Sequence, residues 1–347
     1  MPRIVVVDYR DVLRDIRIDE ASVPVGVARI ARRYGYRPYM VMRYVEMLGF
    51  DGAVELLEAF ERKPPPVVRC NTLRISSCDE LRRGLEELGF SLEPLDWCPY
   101  CYRVVRAPQS PSLGATHQYF KGLYYVYRDA APLLPPILLL PKRGEAVADV
   151  AAAPGGKATH LAQIMGNEGL LLANDKAMKR LGALIDNIVR MGVRIAVVTN
   201  FDARELPLVT KRRFSRVLLD APCSAEGGIM FDPGRKTRTG IEDLARLAAR
   251  EIEMLYASIE LAESEGVVVY STCSIAPEEN EYVVTKVLSM RSDVVVEEVK
   301  PPIGAPGITK FHRLRFSEEV GKCVRTWPHV HGTEGFFVCV LRRVGRR

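Results

Sequence analysis

The chain has 347 residues, 48% of them hydrophobic and 27% charged, with a net charge of +6; that length exceeds one ordinary core and implies about two domains. The longest apolar runs, such as Ile137 to Leu140, are far too short to span a bilayer, and the charged start MPRIVVVDYRDVLRDIRIDE lacks the apolar core and cleavage site of a signal peptide. Eight scattered cysteines do not make a disulfide scaffold, so most are expected to be reduced thiols in a cytoplasmic protein.

Residues 22–60 carry helical spacing, with Val41, Tyr44, Val45 and Leu48 on one stripe, and the run stops at Lys63-Pro-Pro-Pro66. VVRCNTLRI (67–75) then alternates as a strand, Cys78 to Leu88 reads as an amphipathic helix ended by Gly89, and YRVVRA (102–107) as another strand. Together they predict a small N-terminal α+β module over 1–108. Within it, Cys98-Pro-Tyr-Cys101 does not open a helix as a redox dithiol should, and is expected to be a local disulfide or two buried thiols. The stretch 108–122, PQSPSLGATHQYFKG, is rich in turn formers and reads as a linker.

From about 109 to 347 the pattern becomes strand–helix alternation: EAVADVAAAPGGKATHLAQIMG, LLLANDKAMKRLGALIDNIVRMG, IAVVTNFDAREL, SRVLLDAPCS, a long helix near 241–263, and VVVYSTCS. Apolar strands between amphipathic helices predict a parallel sheet covered on both faces, a doubly wound, Rossmann-like α/β domain. Leu181, Leu184, Ile185 and Ile188 supply the stripe of one covering helix. The segment 300–347 holds ten Lys/Arg against three acids and carries Phe311, Phe316 and Trp327. It suits a phosphate backbone, although on charge alone a solvated basic tail looks the same. His329 and His331 have no matched ligand pair, and no metal site is expected.

Ligands bind such sheets outside the carboxyl ends of the strands, where this chain carries Ala151–Lys157, Asp175, Asp202, Asp220–Ser224 and Thr272–Ser274. DVAAAPGGK (149–157) ends a strand and opens a helix, with Gly155-Gly156 allowing close backbone approach to a ligand. It is not a P-loop, which needs Gly at 151 and Ser or Thr at 158, both Ala here. Asp175 stands where nucleotide folds place an acid on ribose hydroxyls, and Asp202 offers an acceptor for an adenine amino group. Each aspartate alone reads as a helix cap. Together, without a dinucleotide fingerprint, they favour S-adenosylmethionine over NAD.

DAPCS (220–224) places a thiol where amino-methyltransferases carry an aromatic residue, so a covalent mechanism is indicated. Thiolate addition at C6 of cytosine makes C5 able to attack a methylsulfonium, and a second group must then remove the C5 proton. Cys273, between Thr272 and Ser274, reads alone as core filling, but its place on this rim makes it a second candidate thiol.

The sequence resembles the Sun-type (NSUN) RNA 5-methylcytosine methyltransferases in RCNTLR (69–74), LGATHQYFKGLYYV (113–126), AAAPGGKATHLAQ (151–163), NDKAMKRL (174–181), NIVRMGV (187–193), DAPCSAEG (220–227) and YSTCSIAPEENE (270–281). The resemblance implies that Cys273 is the nucleophile on C6 and that Cys223 assists product release. It implies cofactor binding by Ala151, Ala152, Ala153, Pro154, Gly155, Gly156, Lys157, Asp175, Arg180, Asp202 and Asp220. Lys157 and Asp220 are further expected to contact the cytosine ring, and a helix N-terminus near Pro277 to help form the thiolate. Where the family has Gln-Asp, this chain has Tyr127-Arg128; where it has Gly after Pro-Cys-Ser, this has Ala225; and an expected Arg is Met230.

The chain is accordingly expected to be a monomeric RNA cytosine-C5 methyltransferase acting on an unstacked base. The compact N-terminal module favours tRNA, with rRNA as the alternative. An N4-directed enzyme and a degenerate RNA-binding assembly factor on the same fold are the rival readings.

Overall fold

The computed structural model describes residues 4–18 and 23–345. Residue 22 of the expected helical stretch and Arg346 and Arg347 of the basic segment lie outside the described residues. Among those described, no helix is long and apolar enough to cross a membrane.

The helical stretch is two helices. Val25–Tyr34 stops at Gly35, whose left-handed backbone (φ 77°) lets its N–H reach the carbonyls of Ala31 and Arg32. Pro38–Ala59 then begins with a proline in its first turn and breaks at Gly49 (φ 74°). Tyr39, Met40, Tyr44, Leu56 and Leu57 are buried in one cluster with Ile229, Met230, Ile275 and Trp327. These helices therefore pack on loops far along the chain.

The first sheet has the order β2-β3-β1-β4, from β1 (Val67–Cys70), β2 (Ser91–Leu95), β3 (Cys98–Arg106) and β4 (Tyr124–Tyr127). Strand β4 pairs antiparallel with β1, Val67 opposite Tyr127. The division expected at residue 108 thus does not coincide with the edge of this sheet. Nor does 108–122 run as a free linker. Thr116 is buried and hydrogen-bonded to the Tyr124 hydroxyl at 2.6 Å, and at Gly122 (φ 70°) a Cβ would fall 1.8 Å from the Arg190 carbonyl oxygen. Turn-forming composition marked the bends there and carried no signal of the packing.

The second sheet has nine strands. Strands β5 (Ala146–Asp149), β6 (Leu170–Asn174), β7 (Ala196–Thr199), β8 (Phe214–Asp220) and β9 (Ala262–Thr272) pair in parallel in the order β7-β6-β5-β8-β9. The chain reverses its direction of growth between β5 and β8, which is the switch point of the doubly wound fold. Beyond β9 the sheet continues as β15 (Phe336–Arg343), antiparallel to β9 from Phe337 opposite Thr272 to Arg342 opposite Val267. Strands β10 (Val294–Val296), β11 (Ala305–Pro306) and β14 (Val324–Thr326) complete it, and β12 (Lys310–Phe311) pairs with β13 (Leu314–Arg315) in a separate hairpin. Helix Ile241–Leu261 buries its face in the core on one side; Gly156–Ile164 and Met178–Arg190 cover the other. On the latter helix Leu184 and Ile188 are buried, but Ile185 of the expected stripe is 45% exposed.

Two expectations are overturned. The aromatic residues of the basic segment are core, with Phe311, Phe316 and Trp327 all buried, because β14 and β15 extend the sheet and need that apolar cover. Most cysteines are also not free thiols. Cys70–Cys78, Cys98–Cys101 and Cys323–Cys339 are disulfides, with Cα–Cα separations of 5.8, 5.2 and 4.5 Å that a bridge accommodates. The free thiols are Cys223 and Cys273.

Candidate active site

At the carboxyl edge of the parallel strands lies a cavity of about 720 Å³, lined among others by Ala151, Ala153, Asp175, Arg180, Asp202, Asp220, Cys223 and Cys273. The residues come from the ends of β5, β6, β7, β8 and β9, so five separated motifs meet because parallel strands all finish on one rim.

The loop Ala151–Lys157 folds over the end of β5. Gly155 has a left-handed backbone (φ 106°) and caps helix Gly156–Ile164. Neighbouring protein leaves little room at either glycine: a Cβ on Gly156 would lie 3.0 Å from the Tyr125 ring, and one on Gly155 3.1 Å from Leu184. Buried Arg69 of β1 donates to the Gly156 carbonyl at 3.1 Å, and Tyr127 of β4 donates to the same oxygen at 2.6 Å. The N-terminal sheet therefore fixes this loop from outside.

Asp175 accepts from the Ala153 amide at 3.1 Å and the Ala177 amide at 2.9 Å, so it braces the loop as well as lining the cavity. Arg180 donates to the Ala153 carbonyl and stands 3.6 Å from Asp175. Asp202 is held well below the usual carboxylate range, first by the Arg204 guanidinium and also by Lys176, whose Nζ is 2.8 Å away. Ala152, Pro154, Gly155, Gly156 and Lys157 belong to the loop but do not line the cavity.

Asp220 ends β8. Its Oδ2 accepts from Lys157 Nζ at 2.7 Å and its Oδ1 from the Ser271 hydroxyl at 2.9 Å. Burial would pull the Lys157 ammonium down, yet the bonded Asp220 carboxylate keeps its pKa above the ordinary value. This leaves a charged donor beside the thiols.

The Sγ atoms of Cys223 and Cys273 are 3.4 Å apart. The hydrogen bond from Cys223 holds the Cys273 thiol below its usual range, against burial and the Asp220 charge, while Lys157 and Arg128 act in the same direction as the bond. The same bond, with burial, pushes Cys223 well above that range. Of the two thiols, Cys273 is thus the one that ionises more readily. The helix expected to start near Pro277 starts instead at Glu281, after a turn over residues 277–280.

What the sequence did not mark is the acidic scaffold beneath the thiols. Glu279 accepts from the Ser224 amide and hydroxyl, both at 2.6 Å, and from the Ser274 hydroxyl. Burial still raises its pKa to about 7. Glu226 and Glu278 are buried and meet the guanidinium of Arg43. The available signal was the acid following each thiol, C-S-A-E and C-S-I-A-P-E-E, together with a lone arginine in the apolar run YMVMRYV. Asp149, at the end of β5, is also buried with one oxygen unpartnered, and burial followed by the Asp220 charge raises its pKa to about 7.

The departures have visible surroundings. Arg128 lies 3.3 Å from buried Glu334 and 4.7 Å over the Phe231 ring. Ala225 has a φ of 53°, the left-handed region that glycine adopts more readily. Met230 is buried against the N-terminal helices. His331 Nδ1 accepts from the Trp327 amide at 2.9 Å.

Residues 136–342 match the family profile described as 16S rRNA methyltransferase RsmB/F. The chain is 36% identical over 320 residues to the 25S rRNA (cytosine-C(5))-methyltransferase nop2 of Schizosaccharomyces pombe, covering 91% of this chain and 52% of that protein; it thus spans about half of that relative's length. Among solved structures it is similar to a methyltransferase homolog protein from Pyrococcus horikoshii, with TM-score 0.82 and 32% identity over 92% of this chain and all of the other. It is also similar to NSun6 from Pyrococcus horikoshii with SFG, with TM-score 0.77 and 25% identity over 88% of this chain and 98% of the other.

Proposed function

The chain belongs to the 16S rRNA methyltransferase RsmB/F family, and from that premise we propose that it is an S-adenosylmethionine-dependent RNA cytosine-C5 methyltransferase acting on ribosomal RNA. The observation that carries the reading is the pair of free thiols 3.4 Å apart in the lining of the strand-edge cavity, beside the Lys157–Asp220 ion pair. An amino-methyltransferase needs neither thiol. A degenerate assembly factor has no use for a cavity lined by Asp175, Arg180 and Asp202. The names of the relatives favour rRNA over the tRNA expected from the compact N-terminal module, a feature that carries no base-reading signal of its own.

The cavity fits the cofactor. Its volume accommodates a nucleoside with a short side chain, Ala151 and Ala153 leave room on the β5 side, and acidic groups stand at the ends of three successive strands. Ala151, Ala153, Asp175, Arg180, Asp202 and Asp220 would hold it. When bound, S-adenosylmethionine supplies a methyl group on a sulfonium.

The chain's own residues do the rest. Cys273, held as thiolate by the Cys223 thiol and Lys157, adds to C6 of a cytosine taken out of its stack, and the ring electron pair moves toward C5. Lys157 and Asp220 face that ring and stabilise the charge gained on addition. After C5 gains its methyl, the C5 proton is lost to solvent, the double bond re-forms as the bond from Cys273 to C6 breaks, and Cys223 assists that release. The test is transfer of labelled methyl to rRNA and to tRNA in parallel, with bisulfite sequencing of cellular RNA with and without the protein. Label confined to tRNA would refute the rRNA assignment, and label at N4 would refute C5 chemistry.

A further inference from the structure

Arg43 lies on helix Pro38–Ala59, outside residues 136–342 that match the family, yet its side chain is wholly buried beneath the cysteine loops. Nη1 donates to both oxygens of Glu226, at 2.9 and 3.1 Å, and Nε donates to Glu278 at 2.9 Å, with Nη2 on that residue's other oxygen. Glu226 is three residues past Cys223 and Glu278 five past Cys273. One planar guanidinium therefore grips the loop behind each thiol, and the Gly227 amide closes the same junction by donating to the Cys273 carbonyl at 3.0 Å.

The geometry points to Arg43 as the positioning residue that sets the distance between the two thiols. Two buried carboxylates with one cation between them form a spring with a fixed length: without the cation they repel, and each must separate or take a proton. Either response shifts a loop whose cysteine is three or five residues away. A lysine does not replace the fork, because a point ammonium cannot hold two carboxylates in two fixed directions. The N-terminal helices thereby belong to the catalytic apparatus. This inference rests on the proposed roles of the thiols, but its test needs no RNA, so a failure of the methylation assay leaves it standing.

The full-length protein is treated with iodoacetamide across about pH 6 to 9, and alkylation at Cys273 and Cys223 is followed by mass spectrometry. In the natural protein Cys273 is expected to react at least about tenfold faster than Cys223. In Arg43→Met that preference should fall below about threefold and the Cys273 profile should move to higher pH. Arg43→Lys should lie between, and S-adenosylmethionine affinity by calorimetry should change less than about twofold in each. If Arg43→Met does not fold, the triple variant Arg43→Met/Glu226→Gln/Glu278→Gln removes the buried charges together and is read in the same way. A folded variant with the natural preference and pH profile overturns the proposal. So does loss of the fold in all three variants, which would make Arg43 structural alone.

Discussion

Cys223 and Cys273 approach to 3.4 Å although 50 residues separate them, because β8 and β9 are parallel neighbours with Asp220 opposite Ser271. Each thiol follows its strand by one to three residues, so strand register brings the sulfurs together. With Cys273 the more readily ionised of the two, the two positions should fail differently. Cys273→Ala is expected to lower methylation by more than about a thousandfold with cofactor affinity unchanged. Cys223→Ala should instead accumulate a protein–RNA adduct that survives denaturing electrophoresis. Substantial turnover by the first variant, or no adduct with the second, refutes the assigned roles.

Lys157 supports the thiolate through its own charge and by neutralising Asp220, which opposes the thiolate. Lys157→Met removes both effects, and both losses raise the Cys273 pKa. The ascending limb of the pH–rate profile should therefore move to higher pH, with a larger rate deficit near pH 7 than near pH 9. A uniform deficit across pH would show that Lys157 acts on the substrate alone.

The parallel half of the large sheet was legible because its strands are apolar throughout and its rim motifs are contiguous: Ala151–Lys157, DAPCS and STCS each end a strand. The antiparallel strands β14 and β15 were not, since FFVCVLRR follows a charged, proline-rich stretch whose net charge suggested a surface tail. Arg43, Glu226, Glu278 and Glu279 escaped notice for another reason. Charged residues in sequence read as solvated, and nothing local shows that a guanidinium will meet two carboxylates 183 and 235 residues later. Cys70, Cys78, Cys323 and Cys339 likewise carry no spacing signal for their pairing.

The Cys323–Cys339 bridge joins the strand β14 region to β15 across a separation of 16 residues. A loop of that size is expected to stabilise by about 3 kcal/mol through the unfolded state. Cys323→Ser should therefore lower Tm measurably, and added dithiothreitol should lower Tm of the natural protein but have a smaller effect on the variant. Equal effects of the reductant on both would place the stabilisation in the other two bridges.

Asp149 gives a stability prediction with a definite sign. Its carboxyl titrates at about 7 in the folded chain, against about 3.9 when unfolded, so between those values the folded state holds the extra proton. The contribution to stability is full below about pH 4 and is lost as pH rises through about 7, by a few kcal/mol at most. Asp149→Asn keeps the shape and cannot ionise. The Tm difference, variant minus natural, should then grow from pH 4.5 to 8 by several degrees, about what 1–2 kcal/mol produces in a chain of this size. Glu279, also near 7, gives both proteins a parallel background that the difference removes. A Tm difference that is flat with pH would mean that Asp149 ionises without cost, and would place a compensating cation at the oxygen that has no partner among the described residues.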